Sequence, residues 1–117
     1  MSGINIPVAL KFAFISNDGN YQIPRDRNIA CFDAAKLKFP LTVRHWKKGD
    51  RFTPFGMKGS KKLSDYFNDH KYSNIDKEKA WLLCSGDEII WLIGERISEK
   101  MRVKCETKLI FQIICEK

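Results

Sequence analysis

Lys and Arg side chains lie close to glycines between residues 41 and 71, and this combination of residue types is suited to binding phosphate groups. The stretch holds eight Lys or Arg and three Asp, whereas the rest of the chain holds thirteen basic and eleven acidic residues. Five of the seven excess positive charges therefore fall in about a quarter of the sequence. Because a local excess of basic residues attracts polyanions, this distribution favours an anionic partner.

The residues around these cations predict a strand followed by a loop. Residues 41–43 are typical of a short strand, and Gly49 with Asp50 predicts a turn soon after it. Gly56 and Gly59 then indicate a loop, because glycine tolerates positive φ and the close approach of other atoms. A loop with two glycines is thus the expected setting of the central cations.

A helix is predicted to begin at Ser60, which is a favoured N-cap residue. Its core-facing side would consist of residues at helical spacing, namely Leu63, Tyr66, Phe67 and His70. Lys61 and Lys62 would then occupy the first turn, where a cation opposes the helix macrodipole and costs about 0.3–1 kcal/mol. Since helix stability does not favour lysines there, their presence beside the free N–H groups of a helix start predicts a phosphate-binding surface.

The predicted phosphate-binding surface comprises Arg44, Lys47, Lys48, Arg51, Lys58, Gly59, Ser60, Lys61, Lys62 and Lys71. The alternative is an ordinary solvated face of lysines with no ligand. Trp46 and Phe55 would suit stacking on an unpaired base, although aromatic residues more often anchor a core or a loop.

Nucleotide-binding motifs do not fit this stretch. A Walker A loop has four residues between its first glycine and Gly-Lys-Ser/Thr, whereas two residues separate Gly56 from Gly59. These glycines do match the GxxG loop of KH domains, which clamps a nucleic-acid backbone. That loop joins two helices, and Pro54 disfavours a helix before it.

No catalytic residues are predicted within this chain. His45 is interpreted as part of the basic surface, and His70 as a structural histidine on the helix face. Asp65 and Asp69 are four residues apart, but nearby lysines offer them ordinary helix ion pairs.

The four cysteines show no Cys-x-x-Cys spacing, so no metal site or disulfide framework is expected. Cys31, Cys84 and Cys115 lie in apolar runs and are interpreted as small buried residues of a reducing compartment. No apolar stretch has the length to span a membrane and no secretory signal opens the chain, so the cytoplasm is the expected location.

The length of 117 residues indicates one domain, 1–117, in which residues 1–28 form an entry strand or hairpin and part of a linker. Strands are predicted at 7–15, half-buried, at 29–32, and at 109–115, with residues 21–23 pairing back on the first. A helical turn is predicted at 33–37, a helix at 75–81 capped by Asn74, a hairpin of 82–85 with 88–93 buried on both faces, and a charged connection at 96–104. The expected fold class is α+β, with a mixed or antiparallel sheet and two short adjacent helices.

The sequence from Pro40 to Lys71 and from Leu82 to Ile97 resembles the C-terminal domain of bacterial tRNA(Ile)-lysidine synthetases. The matching features are Arg44, the runs 49–52, 54–57 and 61–65, the turn 85–88, Trp91 and Gly94. The chain departs from the family at 74–81, where the family often has an Arg and a Pro that are absent here. That domain is also similar in fold to a domain of the phenylalanyl-tRNA synthetase β chain.

The resemblance implies a tRNA-contacting module of a ligase that uses ATP to join lysine to the wobble cytidine of an isoleucine tRNA. Its catalytic domain carries a Ser-Gly-Gly-x-Asp-Ser loop, which this chain lacks, so the chain alone is expected to be inactive and to need no cofactor. ATP with Mg is expected in the N-terminal catalytic domain, which would also be a partner. The module is expected to contact the acceptor stem of the tRNA. Neither DNA specificity nor a membrane partner is expected, and a homodimer is left open.

Two other functions stay open at this point. A protein-interaction or scaffolding module would be favoured by dispersed basic residues and an exposed apolar patch elsewhere. A self-contained phosphate-dependent enzyme would need a concave site with a perturbed acid or base near residues 56–62.

Overall fold

The computed structural model describes residues 9–116, which form nine strands and two α-helices. The strands are β1 Ala9–Ser16, β2 Ile29–Asp33, β3 Leu41–His45, β4 Arg51–Phe52, β5 Lys61–Lys62, β6 Trp81–Ser85, β7 Glu88–Leu92, β8 Arg96–Ile97 and β9 Leu109–Glu116. The helices are α1 Leu63–Asp69 and α2 Asn74–Lys79, and single 3₁₀ turns lie at Ala34–Lys36 and Glu99–Met101. The predicted α+β class is therefore confirmed, and all of these strand pairs are antiparallel.

The strands form two sheets and one two-stranded ribbon. The first sheet has the order β1-β9-β2, the second has the order β3-β6-β7-β8, and the ribbon is β4-β5. β9 pairs with β1 along its whole length, from Ala9 opposite Glu116 to Ser16 opposite Leu109. The chain ends of the described region thus lie side by side.

The second sheet is the middle layer of the molecule, because a hydrophobic core lies on each of its faces. Ala30, Phe32, Leu83, Ile90, Trp91, Phe111, Ile113 and Cys115 form the core shared with the first sheet. Phe52, Leu63, Tyr66, Phe67, Leu82, Cys84, Ile89 and Leu92 form the core shared with α1 and the ribbon. Each fully buried Leu or Ile stabilises the fold by about 1.5–3 kcal/mol, so both layers depend on the central sheet.

The hairpin of β6 and β7 is buried on both faces, as predicted. The register shifts at Leu83 and Cys84, which pair with Trp91 and Ile89, so Ile90 is an extra residue in β7. Because a β-bulge disturbs the alternation of side chains, Ile90 and Trp91 both reach the core on the side of the first sheet.

The first strand is less buried than its alternating pattern predicts. The side chains of Phe12 and Phe14 are 57% and 59% exposed, although their partners in β9, Ile113 and Phe111, are buried. β1 is an edge strand, and these rings lie where the core no longer covers the sheet. Residues 7 and 8 of the predicted strand lie outside the described residues.

Other predicted elements differ in detail. Residues 21–23 form no strand, and the strand that pairs with β1 is β9. The helical turn at 33–37 is the 3₁₀ turn capped by Asp33. Ser73, not Asn74, caps α2 through a capping box with Asp76. The predicted connection at 96–104 contains β8 and the second 3₁₀ turn.

The predicted start of the central helix is wrong. Lys61 and Lys62 form β5, opposite Phe52 and Arg51, and α1 begins only at Leu63. Lys62 is the N-cap residue and makes no side-chain capping bond, so Ser60 does not cap the helix. The pairing with β4 explains the difference, since it keeps both lysines in extended backbone. Of the predicted core-facing residues, Leu63, Tyr66 and Phe67 are buried, whereas His70 is the exposed C-cap residue.

Candidate nucleic-acid interface

Arg44 lies in β3, and its side chain reaches the turn between β3 and β4. Its guanidinium donates to both carboxylate oxygens of Asp50, at 2.8 and 3.0 Å, and to the His45 carbonyl at 3.0 Å. Asp50 also accepts the Lys47 N–H at 2.7 Å. Burial of Asp50 opposes its ionisation, but these hydrogen bonds outweigh burial and hold its pKa below the ordinary value. Arg44 therefore shapes the turn that presents Lys47 and Lys48.

The β4-β5 ribbon brings two cations face to face. Arg51 lies directly opposite Lys62 in the antiparallel register. The Arg51 Nε donates to the Ser60 hydroxyl at 3.1 Å, and neither cation has an ion-pair partner among residues 9–116. Because like charges directly opposite each other destabilise a strand pair, a bound anion would relieve this arrangement.

Lys61 differs from its neighbour because its ammonium forms an ion pair with Asp69 at the end of α1. This contact holds the pKa of the exposed Asp69 carboxyl below its usual range. Lys62, the other lysine of β5, is exposed and has no such partner within residues 9–116. Lys61 is thus partly neutralised, whereas Lys62 keeps its full charge.

Two of the backbone donors in the region predicted to cradle a phosphate are already used by the protein. The Gly56 N–H donates to the Glu99 carboxylate at 2.8 Å, and the Leu63 N–H at the start of α1 donates to the Asp50 carbonyl at 2.9 Å. A carboxylate beside Gly56 would repel a phosphate. Gly59 has open space around it. These two N–H groups are therefore not available to a bound phosphate.

Five exposed lysines of the predicted surface have no ion-pair partner among residues 9–116, and we call them the unpaired lysines: Lys47, Lys48, Lys58, Lys62 and Lys71. All five lie in segments that adjoin α1 or the ribbon. The ring of Trp46 packs edge-on against Phe67, 5.1 Å away, and Tyr72 packs on the same ring at 4.7 Å. Trp46 precedes Lys47 and Lys48, and Tyr72 follows Lys71. Both of these lysine-bearing segments therefore pack against the buried Phe67 of α1.

Lys71 has an unusual backbone conformation. Its φ is +56°, and it follows the last turn of α1, where the Tyr72 N–H donates to the Phe67 carbonyl. This left-handed position at a helix end favours glycine, so a lysine there carries backbone strain.

The aromatic and imidazole side chains of the predicted region have structural contacts. His45 packs at a tilt against Trp81, with ring centres 3.9 Å apart, and His70 stacks on Tyr66 at 4.0 Å. Trp46 is partly buried against α1, whereas Phe55 is 45% exposed. Phe55 is thus the aromatic residue of this region that remains accessible for stacking.

Sequence reasoning missed two places that the fold builds. Lys77 of α2 lines a shallow cleft with His45 and Trp46. A second cavity, of about 470 Å³, is lined by four arginines from separate segments, Arg25, Arg27, Arg96 and Arg102. The arginines are scattered in sequence, so no local pattern marks them as a group.

A third surface is aromatic. Phe12, Phe14 and the 59% exposed Phe39 all contact Phe111, with ring centres 4.8 to 5.9 Å apart. We call these three exposed rings the aromatic face. An exposed cluster of this kind commonly marks a contact with another protein segment.

Cys31, Cys84 and Cys115 are buried, as predicted, and burial raises the pKa of the Cys31 and Cys84 thiols. Within residues 9–116, no three His, Cys, Asp or Glu side chains come together as a metal site would require. No helix in this described part has the length and apolar character needed to cross a membrane.

Residues 41–113 match the family model of the TilS substrate C-terminal domain. Over 109 residues the chain is 52% identical to a tRNA(Ile)-lysidine synthase of Parabacteroides distasonis, covering 92% of this chain and 25% of that protein. The identity is 47% over 97 residues with the tRNA(Ile)-lysidine synthase of Bacteroides thetaiotaomicron, covering 81% and 23%. The chain thus spans about a quarter of the length of these curated relatives.

Two solved structures share the fold. The crystal structure of a TILS C-terminal domain has a TM-score of 0.77 at 21% identity and covers 96% of this chain and 85% of that chain. An N-terminal fragment of the phenylalanyl-tRNA synthetase β-subunit from Pyrococcus horikoshii has a TM-score of 0.63 at 26% identity, covering 74% and 27%. The two likenesses agree with the fold expected from the sequence.

Proposed function

Because the chain belongs to the TilS substrate C-terminal domain family, we propose that it is the tRNA-binding part of a tRNA(Ile)-lysidine synthase. The family resemblance inferred from the sequence is confirmed. The observation that carries the binding proposal is the set of exposed cations around α1 and the ribbon that have no carboxylate partner within residues 9–116.

The proposed ligand is the helical acceptor stem of an isoleucine tRNA. The major groove of duplex RNA is too deep and narrow for side chains to read, so a stem is recognised mainly through phosphates and 2′-hydroxyls. Mobile lysines suit such contacts because they do not require fixed geometry. We expect the unpaired lysines and Arg51 to bind phosphates, and Arg44 to act indirectly through its turn.

In this proposal the longer protein activates the wobble cytidine with ATP and Mg in an N-terminal domain, in the cytoplasm. The present chain supplies affinity and orientation but no catalytic group. Its glycine loop does not suit a nucleotide phosphate, because the Gly56 N–H is bonded to the Glu99 carboxylate. Residues 1–117 would act as one module of that protein.

Filter binding of this chain to isoleucine tRNA at several salt concentrations tests the proposal. If about four cations neutralise phosphates, log affinity falls against log salt with a slope of roughly −3 to −4. Other tRNAs are expected to bind with similar affinity, because backbone contacts carry little sequence information. Duplex DNA, which does not have the A-form geometry of an RNA stem, serves as the control for recognition of that geometry. A slope near zero with isoleucine tRNA contradicts the proposal.

A pair of double variants locates the surface. Lys58→Glu with Lys62→Glu is expected to weaken tRNA binding more than about tenfold at moderate salt. Lys36→Glu with Lys108→Glu makes the same charge change at exposed lysines that have no ion-pair partner within residues 9–116. This control pair is expected to weaken binding less than about threefold through the net charge alone. Equal losses in both pairs would contradict a localised surface.

The aromatic face favours a second role, which is contact with another part of the longer protein. Phe12, Phe14 and Phe39 are each more than half exposed and cluster around the buried Phe111. Such a face is suited to packing against an apolar surface, for which the N-terminal catalytic domain is the proposed partner and a second copy the alternative. Sedimentation of the chain over a range of concentrations separates them, since association at high concentration would favour the homodimer.

A further inference from the structure

One cavity in the described part of the chain is lined by none of the unpaired lysines. It measures about 470 Å³ and opens between the loop 17–28 and the residues around β8. Buried Trp91 and Cys31 and the partly buried Ile29 and Ile97 line it. Volumes of this size are typical of sites for single small ligands, and the apolar lining favours a flat hydrophobic group.

The rim of the cavity is cationic. Four arginines and two acidic residues, Asp26 and Glu95, line it. Arg27 contacts Glu95 at 3.4 Å, Arg102 contacts Glu99 at 2.6 Å, and the Asp26 carboxylate accepts the Asn28 N–H at 2.9 Å. Arg25 is exposed and has no side-chain partner among residues 9–116. The rim therefore offers uncompensated positive charge beside an apolar interior.

Phe55 links this cavity to the proposed tRNA surface. Its N–H donates to the Ile97 carbonyl at 3.0 Å, and its own carbonyl accepts a hydrogen bond from Arg96 at 3.2 Å. Both contacts fix the backbone beside the cavity and leave the ring 45% exposed at the lining. The loop that begins at Phe55 carries Lys58, so the cavity continues the basic surface.

We propose that this cavity binds one unstacked nucleotide of an RNA, with the base in the apolar interior against Phe55 and its phosphate at Arg25 and Arg96. The inference rests on the proposed function and adds a single-stranded contact to the stem contact. Unpaired bases are commonly held by aromatic stacking and by arginine, and both groups are present here in adjoining positions. An apolar side chain of another protein would use the interior but would leave the arginines without an anionic partner.

Three forms of one RNA hairpin test the proposal: a blunt form, a form with a short single-stranded 3′ overhang, and a form whose overhang has the same phosphates but no bases. The overhang with bases is expected to bind about tenfold more tightly than the abasic overhang. Phe55→Ala should remove this difference while leaving affinity for the blunt hairpin within about twofold. Phe14→Ala, at a similarly exposed ring of the aromatic face, should preserve the difference.

The outcomes separate the two proposals. Failure of the blunt hairpin to bind would overturn the proposed stem contact itself. Binding of the blunt hairpin together with equal affinity for the two overhangs would overturn only the nucleotide site, as would an unchanged difference in Phe55→Ala. An apolar protein occupant predicts that same equality. A photoreactive 4-thiouridine in the overhang is expected to cross-link to Phe55 or to residues 23–29, and a cross-link confined to other peptides would contradict the site.

Discussion

Arg44 and Arg51 lie on consecutive strands of the same basic stretch, yet their surroundings are opposite. Arg44 faces the nearly buried carboxylate of Asp50 and binds both of its oxygens. Arg51 faces another cation, Lys62, and its hydrogen bonds go to the uncharged Ser60. A cation that is paired inside the protein contributes to the fold, whereas one held beside a like charge remains available to an external anion. Sequence position alone does not distinguish these two roles.

The largest expected effect is on stability. Arg44→Gln should lower the free energy of unfolding by about 2 kcal/mol, because Asp50 would keep its burial and lose its charged partner. Arg51→Gln removes the same charge from a site with no acidic partner and should change stability by less than about 0.5 kcal/mol. Urea unfolding of the two variants measures both values. Similar losses in the two would contradict the division into structural and available cations.

The pH dependence of stability sharpens the same comparison. The folded-state pKa of Asp50 lies below its ordinary value, so the stabilisation is present above the unfolded-state pKa near 3.9 and is lost as the pH falls through the folded-state pKa. The stability gap between the wild type and Arg44→Gln should therefore shrink below about pH 4. Urea midpoints at several pH values test this. A gap that widens in acid would show that Asp50 is not the linked group.

For RNA affinity the order should be the reverse of that for stability: cations without an acidic partner should matter more than cations that are paired with an acid. Arg51→Gln with Lys62→Gln removes two cations that face each other and should weaken tRNA binding by about tenfold, with a salt slope shallower by about two. Lys61→Gln with Arg51→Gln removes one paired and one available cation, so its effect should be smaller. Fluorescence titrations at two salt concentrations compare these double variants. Equal losses would indicate that the ion pair of Lys61 with Asp69 does not limit its contact with RNA.

Lys71 tests whether strain is retained at the surface for binding. Lys71→Gly should raise the free energy of unfolding by about 0.5–1 kcal/mol, because glycine adopts a φ of +56° without a steric penalty. It should also weaken tRNA binding through the loss of one cation. Lys48→Gly, at an exposed position without this backbone conformation, is the control and should not gain stability. A gain in stability without weaker tRNA binding would show that Lys71 does not belong to the tRNA-binding surface.

The smallest effect separates the two lysines of β5. Lys62→Glu would place an acid opposite Arg51 and should stabilise the ribbon by about 0.3 kcal/mol while weakening RNA binding. Lys61→Glu would place an acid beside Asp69 and should destabilise the protein. Thermal melts of the single variants show whether each change raises or lowers stability. The same sign in both would contradict the observed register.

Several elements of the fold followed from local pattern. The hairpin of β6 and β7 was predicted within one residue at each end, because continuous apolar runs around Gly86 have few alternatives. The buried face of α1 followed from the spacing of Leu63, Tyr66 and Phe67. The start of that helix did not, since pairing between β4 and β5 overrides the local preference of Ser60.

The sequence predicted where positive charge concentrates in the candidate site, but not how the charged side chains are arranged in space. The pairing of Arg44 with Asp50 crosses a turn, and the contact between Gly56 and Glu99 joins residues far apart in the chain. The arginines that line the cavity beside Phe55 come from separate segments. Contacts of this kind depend on which strands meet, and a local motif does not encode them.

The sequence by itself determined the α+β class, the family and the concentration of positive charge at residues 41–71, because composition, periodicity and motif are local properties of the chain. Tertiary structure alone decided which cations are neutralised, since a charge is paired only where the fold places an acid within reach. It also decided that Phe12 and Phe14 stay exposed, because alternation specifies the face of a strand and not whether another layer covers it.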